Sequence, residues 1–214
     1  RNKYIKKIEG LDKLVNLTYV DLSENQITKI AGLDKLVSLT YLDLSVNKIT
    51  EIKGLEKLVS LTCLTVMHNQ ISKIEGLDKL INLTYLDLSD NEIEKIEGLD
   101  NLVNLTHLYL SWNQITEIEG LDNLVNLTHL YLSRNQITKI KNILHLRRLE
   151  RFWNFSNPIE YIPPNIQRFI DRIENRETVY NNNQSVHDTS IQHTVIESIN
   201  SLLNNPNGCE NIFI

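Results

Sequence analysis

The chain has 214 residues, with 22 basic and 27 acidic side chains, a net charge of -5 and a pI near 5.7, a balance that argues against general nucleic-acid binding. Its two cysteines, Cys63 and Cys209, are too far apart to suggest a disulfide framework. No apolar run approaches the roughly 20 residues needed to cross a bilayer, so neither nucleic acid nor a membrane is the expected partner.

Residues 1–16 carry the second half of a pattern that the rest of the chain repeats. Ile5, Ile8, Gly10, Leu11 and Leu14 fall where Ile27, Ile30, Gly32, Leu33 and Leu36 fall in the next copy. This partial unit is expected to act as a rudimentary cap. The lack of an initiator Met and the start in mid-unit suggest an N-terminally truncated piece of a longer chain.

Over residues 17–148 a 22-residue unit then repeats six times without insertion or deletion. It places leucine at Leu17, Leu39, Leu61, Leu83, Leu105 and Leu127. Eight residues after each comes an asparagine: Asn25, Asn47, Asn69, Asn91, Asn113 and Asn135. A fixed period of this length is the signature of a solenoid, in which each unit buries its apolar side against the next. The alternating L-x-L, such as Leu42 and Leu44, predicts a short strand with leucines turned inward, stacked in parallel about 4.8 Å from its neighbours. Asparagine suits the corner that follows, because its amide both donates and accepts and can satisfy backbone groups that would otherwise be buried unpaired. Gly32, Gly54, Gly76, Gly98 and Gly120 are placed where the backbone needs an angle closed to other residues. The following L-x-x-L is too short for a long helix, which predicts a single helical or 3₁₀ turn on the convex side of a gently curved coil.

Residues 149–176 read as a divergent repeat and cap. Phe152 and Asn157 keep their places, but Asn154 replaces an inward leucine and Pro163-Pro164 replaces the glycine. The prolines predict a cap helix from about Asn165, with Ile166, Phe169, Ile170 and Ile173 as its apolar stripe. Residues 177–214 read as a linker followed by a short amphipathic tail helix (Ile191, Val195, Ile199, Leu202). That stripe is expected to dock on the cap or on another copy of the chain. The oligomeric state stays open.

Residues that alternate with the buried leucines line the concave sheet. The third place of each unit reads Tyr19, Tyr41, Cys63, Tyr85, His107, His129, Arg151. The fifth reads Asp21, Asp43, Thr65, Asp87, Tyr109, Tyr131, Trp153. Seventh places are mostly serine, broken by Met67 and Phe155; the eighth, at the rim, includes Trp112 and Arg134. The first four units thus present carboxylates beside tyrosines, and the later ones present His, Tyr, Trp and Arg. Asp21 and Asp43 fall directly cross-strand, an unfavourable pairing unless a cationic group, such as a basic segment of a partner, answers it. Tyr109, Trp112, Tyr131 and Trp153 are residue types enriched in interface hot spots, and are expected to form an exposed aromatic strip. The candidate partner-binding residues are therefore Tyr19, Asp21, Tyr41, Asp43, Tyr85, Asp87, His107, Tyr109, Trp112, His129, Tyr131, Arg134 and Trp153. Recent duplication would also carry the same surface residue from unit to unit without use.

Catalytic signals are lacking: there is no Gly-rich phosphate loop, nucleophile elbow or cysteine-paired zinc motif, so no enzyme and no cofactor are expected. His107, His129 and Asp87 have ligand chemistry, but their spacing is the repeat length, and no metal site is assigned to them. Asn-Leu-Thr at Asn16, Asn82, Asn104 and Asn126 is formally an N-glycosylation sequon, yet each copy belongs to the repeat consensus. The basic run Lys139, Lys141, Arg147, Arg148 and Arg151 reads as a solvated cap edge.

The unit L-T-Y-L-D-L-S-x-N-x-I-x-x-I-x-G-L-x-x-L-V-N resembles the 22-residue, SDS22-like class of leucine-rich repeats, which takes its name from a regulatory subunit of protein phosphatase 1; similar repeats occur in bacterial internalins. The near-identity of neighbouring units and the abundance of Asn and Ile also resemble the leucine-rich repeat proteins of giant viruses of amoebae. The resemblance implies an α/β repeat solenoid with a parallel concave sheet that binds protein. Secreted members usually carry cysteine-clamped caps, so their absence implies an intracellular, cytoplasmic location, the host cytoplasm if the chain is viral. The expected function is a non-catalytic protein-interaction module. Two alternatives stand beside it: a phosphatase regulatory subunit, and a structural or virion component without a dedicated ligand.

Overall fold

The computed structural model describes residues 4–184, with side chains through residue 175. Seven three-residue strands form one parallel sheet in sequence order: β1 (Tyr19–Asp21), β2 (Tyr41–Asp43), β3 (Cys63–Thr65), β4 (Tyr85–Asp87), β5 (His107–Tyr109), β6 (His129–Tyr131) and β7 (Arg151–Trp153). Each strand pairs with the next at the repeat length, as in Leu42↔Leu64 and Leu108↔Leu130. The sheet therefore inherits its register from the sequence period.

The core is one continuous column. In the second coil Leu39, Leu42, Leu44, Ile49, Ile52, Leu55 and Leu58 are all fully buried, and the same seven places are filled in the coils on either side. Burying each such side chain contributes about 1.5–3 kcal/mol. Since no coil covers both of its own faces, this burial exists only between neighbours.

The corner asparagines bind coils together. Asn47 Nδ2 donates to Leu22 O at 3.0 Å in the preceding coil and to Leu44 O at 3.1 Å in its own, while its Oδ1 accepts from Ile27 N at 2.9 Å. The ladder runs from Asn25, whose Oδ1 accepts from Ile5 N, to Asn157, which donates to Leu132 O. Gly76 shows why glycine closes the coil: its φ is +80°, and a Cβ there would lie 2.1 Å from Ile52 O. On the convex side the anticipated helical turn takes the form of two successive turns, each closed by one bond, Leu36 N to Leu33 O and Leu39 N to Leu36 O. Leucines three apart keep one face inward throughout without a helix being needed.

Helix α1 spans Pro164–Gln184. Its buried Ile166, Phe169, Ile170 and Ile173 close the last coil, as the stripe predicts. It continues, however, past the expected boundary at residue 176 and into the stretch read as a linker. That stretch contains no Gly or Pro to stop a helix, and lack of apolar content shows only that it has little to bury. The tail stripe from Ile191 lies outside the described residues. Among the described residues no helix is long and apolar enough to cross a membrane.

Candidate binding face

Because strand side chains alternate, the third and fifth places of β1–β7 form two side-by-side rows across the concave sheet. At the N-terminal end Tyr19 stacks on Tyr41, ring centroids 4.3 Å apart and planes at 4°. Beside them Asp21 and Asp43 are register neighbours. Each aspartate of the row folds back onto its own strand end: Asp21, Asp43 and Asp87 Oδ1 accept from Ser23, Ser45 and Ser89 N at 2.8–2.9 Å. Burial, opposed by these bonds, raises the Asp43 carboxyl above its usual range, and the Asp21 charge adds to the rise. Burial pushes Asp87 further, up to about 6, with the charge of Asp43 acting in the same direction. No Lys or Arg occupies a third, fifth or seventh place on β1–β6.

The aromatic half is packed tightly on itself. Tyr85 meets Tyr109 at 5.1 Å, Tyr109 stacks on Tyr131 at 4.5 Å, and Tyr131 and Trp153 meet in a T-shaped contact at 4.6 Å. The expectation of an exposed aromatic strip needs correction here: Tyr109 and Tyr131 are buried, only 8% and 9% exposed, as is Tyr41 at 9%, whereas Trp112 is 54% exposed and Phe155 57%. Rings spaced at the strand interval cover one another's faces and leave mainly their outer edges to solvent. Trp153 and Tyr85 are intermediate, and burial holds the Tyr85 hydroxyl well above its usual pKa.

His107 and His129 stack with centroids 4.2 Å apart, and each Nδ1 lies 2.9 Å from the hydroxyl of the threonine before it. Burial depresses His107 to about 4; burial, then the neighbouring His107 and Arg151, depresses His129 to about 3. Both imidazoles are thus neutral at neutral pH. Parallel stacked rings do not converge their lone pairs on one point, and no group of three His, Cys, Asp or Glu able to hold a metal occurs among the described residues.

The eighth place is more unusual than the sequence suggests. Glu24, Val46, His68, Asp90, Trp112 and Arg134 all adopt left-handed backbone, with φ between 54° and 58°. Side chains other than Gly, Asn and Asp seldom do so, and β-branched Val46 least of all. The expected marker, glycine, is missing, so nothing in the residues signals the turn. The conformation leaves these six side chains exposed where each strand ends. There the Arg134 guanidinium lies 3.9 Å over the Trp112 ring, and His68 Nδ1 contacts Asp90 Oδ2.

The sequon asparagines have a structural task as well. Asn82, Asn104 and Asn126 Nδ2 donate to Val59, Ile81 and Val103 O, forming a second ladder on the opposite corner. In the basic run, Lys141 sits between Glu117 and Glu119, and Arg148 Nη1 donates to Asn126 Oδ1.

Comparison with known proteins agrees with this geometry. The family models described as leucine-rich repeat match residues 8–49, 37–79, 81–123 and 126–146. Among solved structures, an internalin (inlF) of Listeria monocytogenes is 29% identical with a TM-score of 0.66, covering 70% of this chain and 44% of that one. A leucine-rich repeat protein of Leptospira interrogans is 25% identical with a TM-score of 0.67, covering 78% and 49%. Internalin C2 of Listeria monocytogenes is 30% identical with a TM-score of 0.55, covering 76% and 78%. The chain thus spans under half the length of the first two of these. No curated protein sequence matches it. Repeats of this kind are typically non-enzymatic protein-interaction modules. From the 22-residue unit, the asparagine ladder, the family models and internalin C2 alike, the chain belongs to the leucine-rich repeat proteins.

Proposed function

We propose that the chain is a protein-binding module whose partner sits on the concave face and its rim. One observation carries this reading: in the six full repeats, otherwise near copies, the eighth place holds six different residues, Glu24, Val46, His68, Asp90, Trp112 and Arg134. Their left-handed backbone costs conformational energy and leaves every one exposed. Core places, in contrast, hold leucine or isoleucine almost throughout, with Val20 and Val66 as conservative exceptions. Diversity greatest along one exposed line beside the sheet, and present in the strand rows next to it, favours recognition over a purely structural role. Trp112 and Phe155 are the anchors, since both are large, apolar and more than half exposed.

A protein partner fits better than a nucleic acid, because the strand face carries three aspartates and no basic residue before Arg151. Affinity capture from the source cell's lysate tests the reading, comparing the native chain with Trp112→Ala/Phe155→Ala. These exposed sites are preferable to Tyr109 and Tyr131, whose replacement would disturb packing. A partner held by the native chain and lost by the folded variant supports the proposal; retention of every captured protein by the variant refutes it. Inhibition of protein phosphatase 1 by the same preparation tests the role that the SDS22-like resemblance implies.

A further inference from the structure

Charge and side-chain chemistry change along the concave face in a way that describes its occupant. On β1–β4 the fifth-place row supplies Asp21, Asp43 and Asp87, beside the tyrosines Tyr19, Tyr41 and Tyr85. At the far end the third-place row closes with Arg151, and Arg134 lies exposed at the rim. His107 and His129 stand between them, uncharged at neutral pH. The face is therefore polarised, anionic at one end and cationic at the other.

We infer that this face binds one extended polypeptide segment laid across the strands, with two cationic side chains at the Asp21–Asp43 pair and at Asp87, and an anionic one at Arg151 and Arg134. The inference rests on the concave-face reading above and gives its partner a chemical class. Strand spacing fixes the arrangement. With strands about 4.8 Å apart, Asp87 lies about 12 Å from the midpoint between Asp21 and Asp43, and β7 about 14 Å beyond Asp87. An extended chain advances about 3.3 Å per residue, so each interval corresponds to about four residues. The segment then has the form cation-x-x-x-cation-x-x-x-anion, about nine residues long.

Arginine fits the cationic positions better than lysine. Its planar guanidinium donates from its edge to a carboxylate and packs on an aromatic ring, and a carboxylate and a tyrosine stand side by side on β1, β2 and β4. Burial raises the carboxyls of Asp43 and Asp87, and no Lys or Arg occupies a third, fifth or seventh place on β1–β6. A bound guanidinium would relieve that cost.

The test uses two synthetic nonapeptides of identical composition: one with arginine at positions 1 and 5, glutamate at 9 and serine or threonine elsewhere, the other with the arginines adjacent. Binding is read by fluorescence anisotropy at physiological ionic strength. The spaced peptide should bind at least about tenfold more tightly, and Asp21→Asn/Asp43→Asn/Asp87→Asn should weaken it about tenfold or more. The charge-matched convex variant Asp78→Asn/Asp100→Asn/Asp122→Asn should stay within about twofold. Equal binding of the two peptides, or equal loss in the two variants, would show attraction by net charge alone and overturn the inference. If the peptides fail while Trp112→Ala/Phe155→Ala still releases a captured partner, the partner class is wrong and the concave reading stands. If that release fails as well, the reading beneath it falls too.

Discussion

Replacing Asp87 by asparagine should stabilise the protein at neutral pH and leave it unchanged in acid. Asp87 is 8% exposed, and its carboxyl is raised from the usual 3.8 to about 6. The folded chain thus holds this proton more tightly than the unfolded chain does. Ionisation of Asp87 costs stability above about pH 6, and the cost vanishes below about pH 4, where both states are protonated. A shift of about two units corresponds to about 3 kcal/mol. Asparagine keeps the oxygen that accepts from Ser89 N, but its amide must itself be desolvated, so the net gain at pH 8 is set at about 2 kcal/mol. Denaturant unfolding of both proteins at pH 8, 6 and 4 measures it, and the difference should shrink through pH 6 towards zero. A difference that does not change with pH, or a variant less stable at pH 8, would refute the argument from burial.

The histidines should act in the opposite sense. With His107 and His129 depressed to about 4 and about 3, the native chain loses stability as pH falls below about 6.5, where the unfolded imidazoles take up protons and the folded ones do not. His107→Gln/His129→Gln should flatten that acid limb in a melting series, and an unchanged slope would contradict the assignment. Asn91→Ala removes an amide that donates to Val66 and Leu88 O and accepts from Ile71 N, and should cost about 3 kcal/mol or more by denaturant midpoint. Gly76→Ala should be severely destabilising, whereas Gly10→Ala, with a similar φ but nothing within 4 Å of its new Cβ, should cost only about 1 kcal/mol. Melting temperatures of the two variants compare steric closure with backbone angle directly.

Most of the coil can be read from the residues, because a solenoid converts sequence period into register without an intermediate step. Leu42, Leu64 and Leu86 must stack once the period is known, and each asparagine of the ladder meets the same carbonyls in every coil. Alternation likewise assigns Tyr109 and Asp87 to the concave face. Their burial is not encoded in alternation, since it arises when rings and carboxylates from adjacent strands crowd together at the strand spacing. The left-handed turn at Val46 and Trp112 gives no residue signal, because neighbouring coils impose it. In α1, the absence of Gly or Pro after Pro164 lets the helix run past the point where apolar periodicity ends. The sequon asparagines Asn82, Asn104 and Asn126 read as repeat consensus, while their bonds to the preceding coil appear only in three dimensions.

The most direct test of the binding surface is oxidative footprinting of the captured complex against the free chain. Protection at Trp112, Phe155, Met67 and Tyr19, with the exposed convex row Val37, Val59, Ile81, Val103 and Val125 unchanged, is the result expected of a concave-face module. Protection of the convex row with Trp112 and Phe155 still reactive would contradict it.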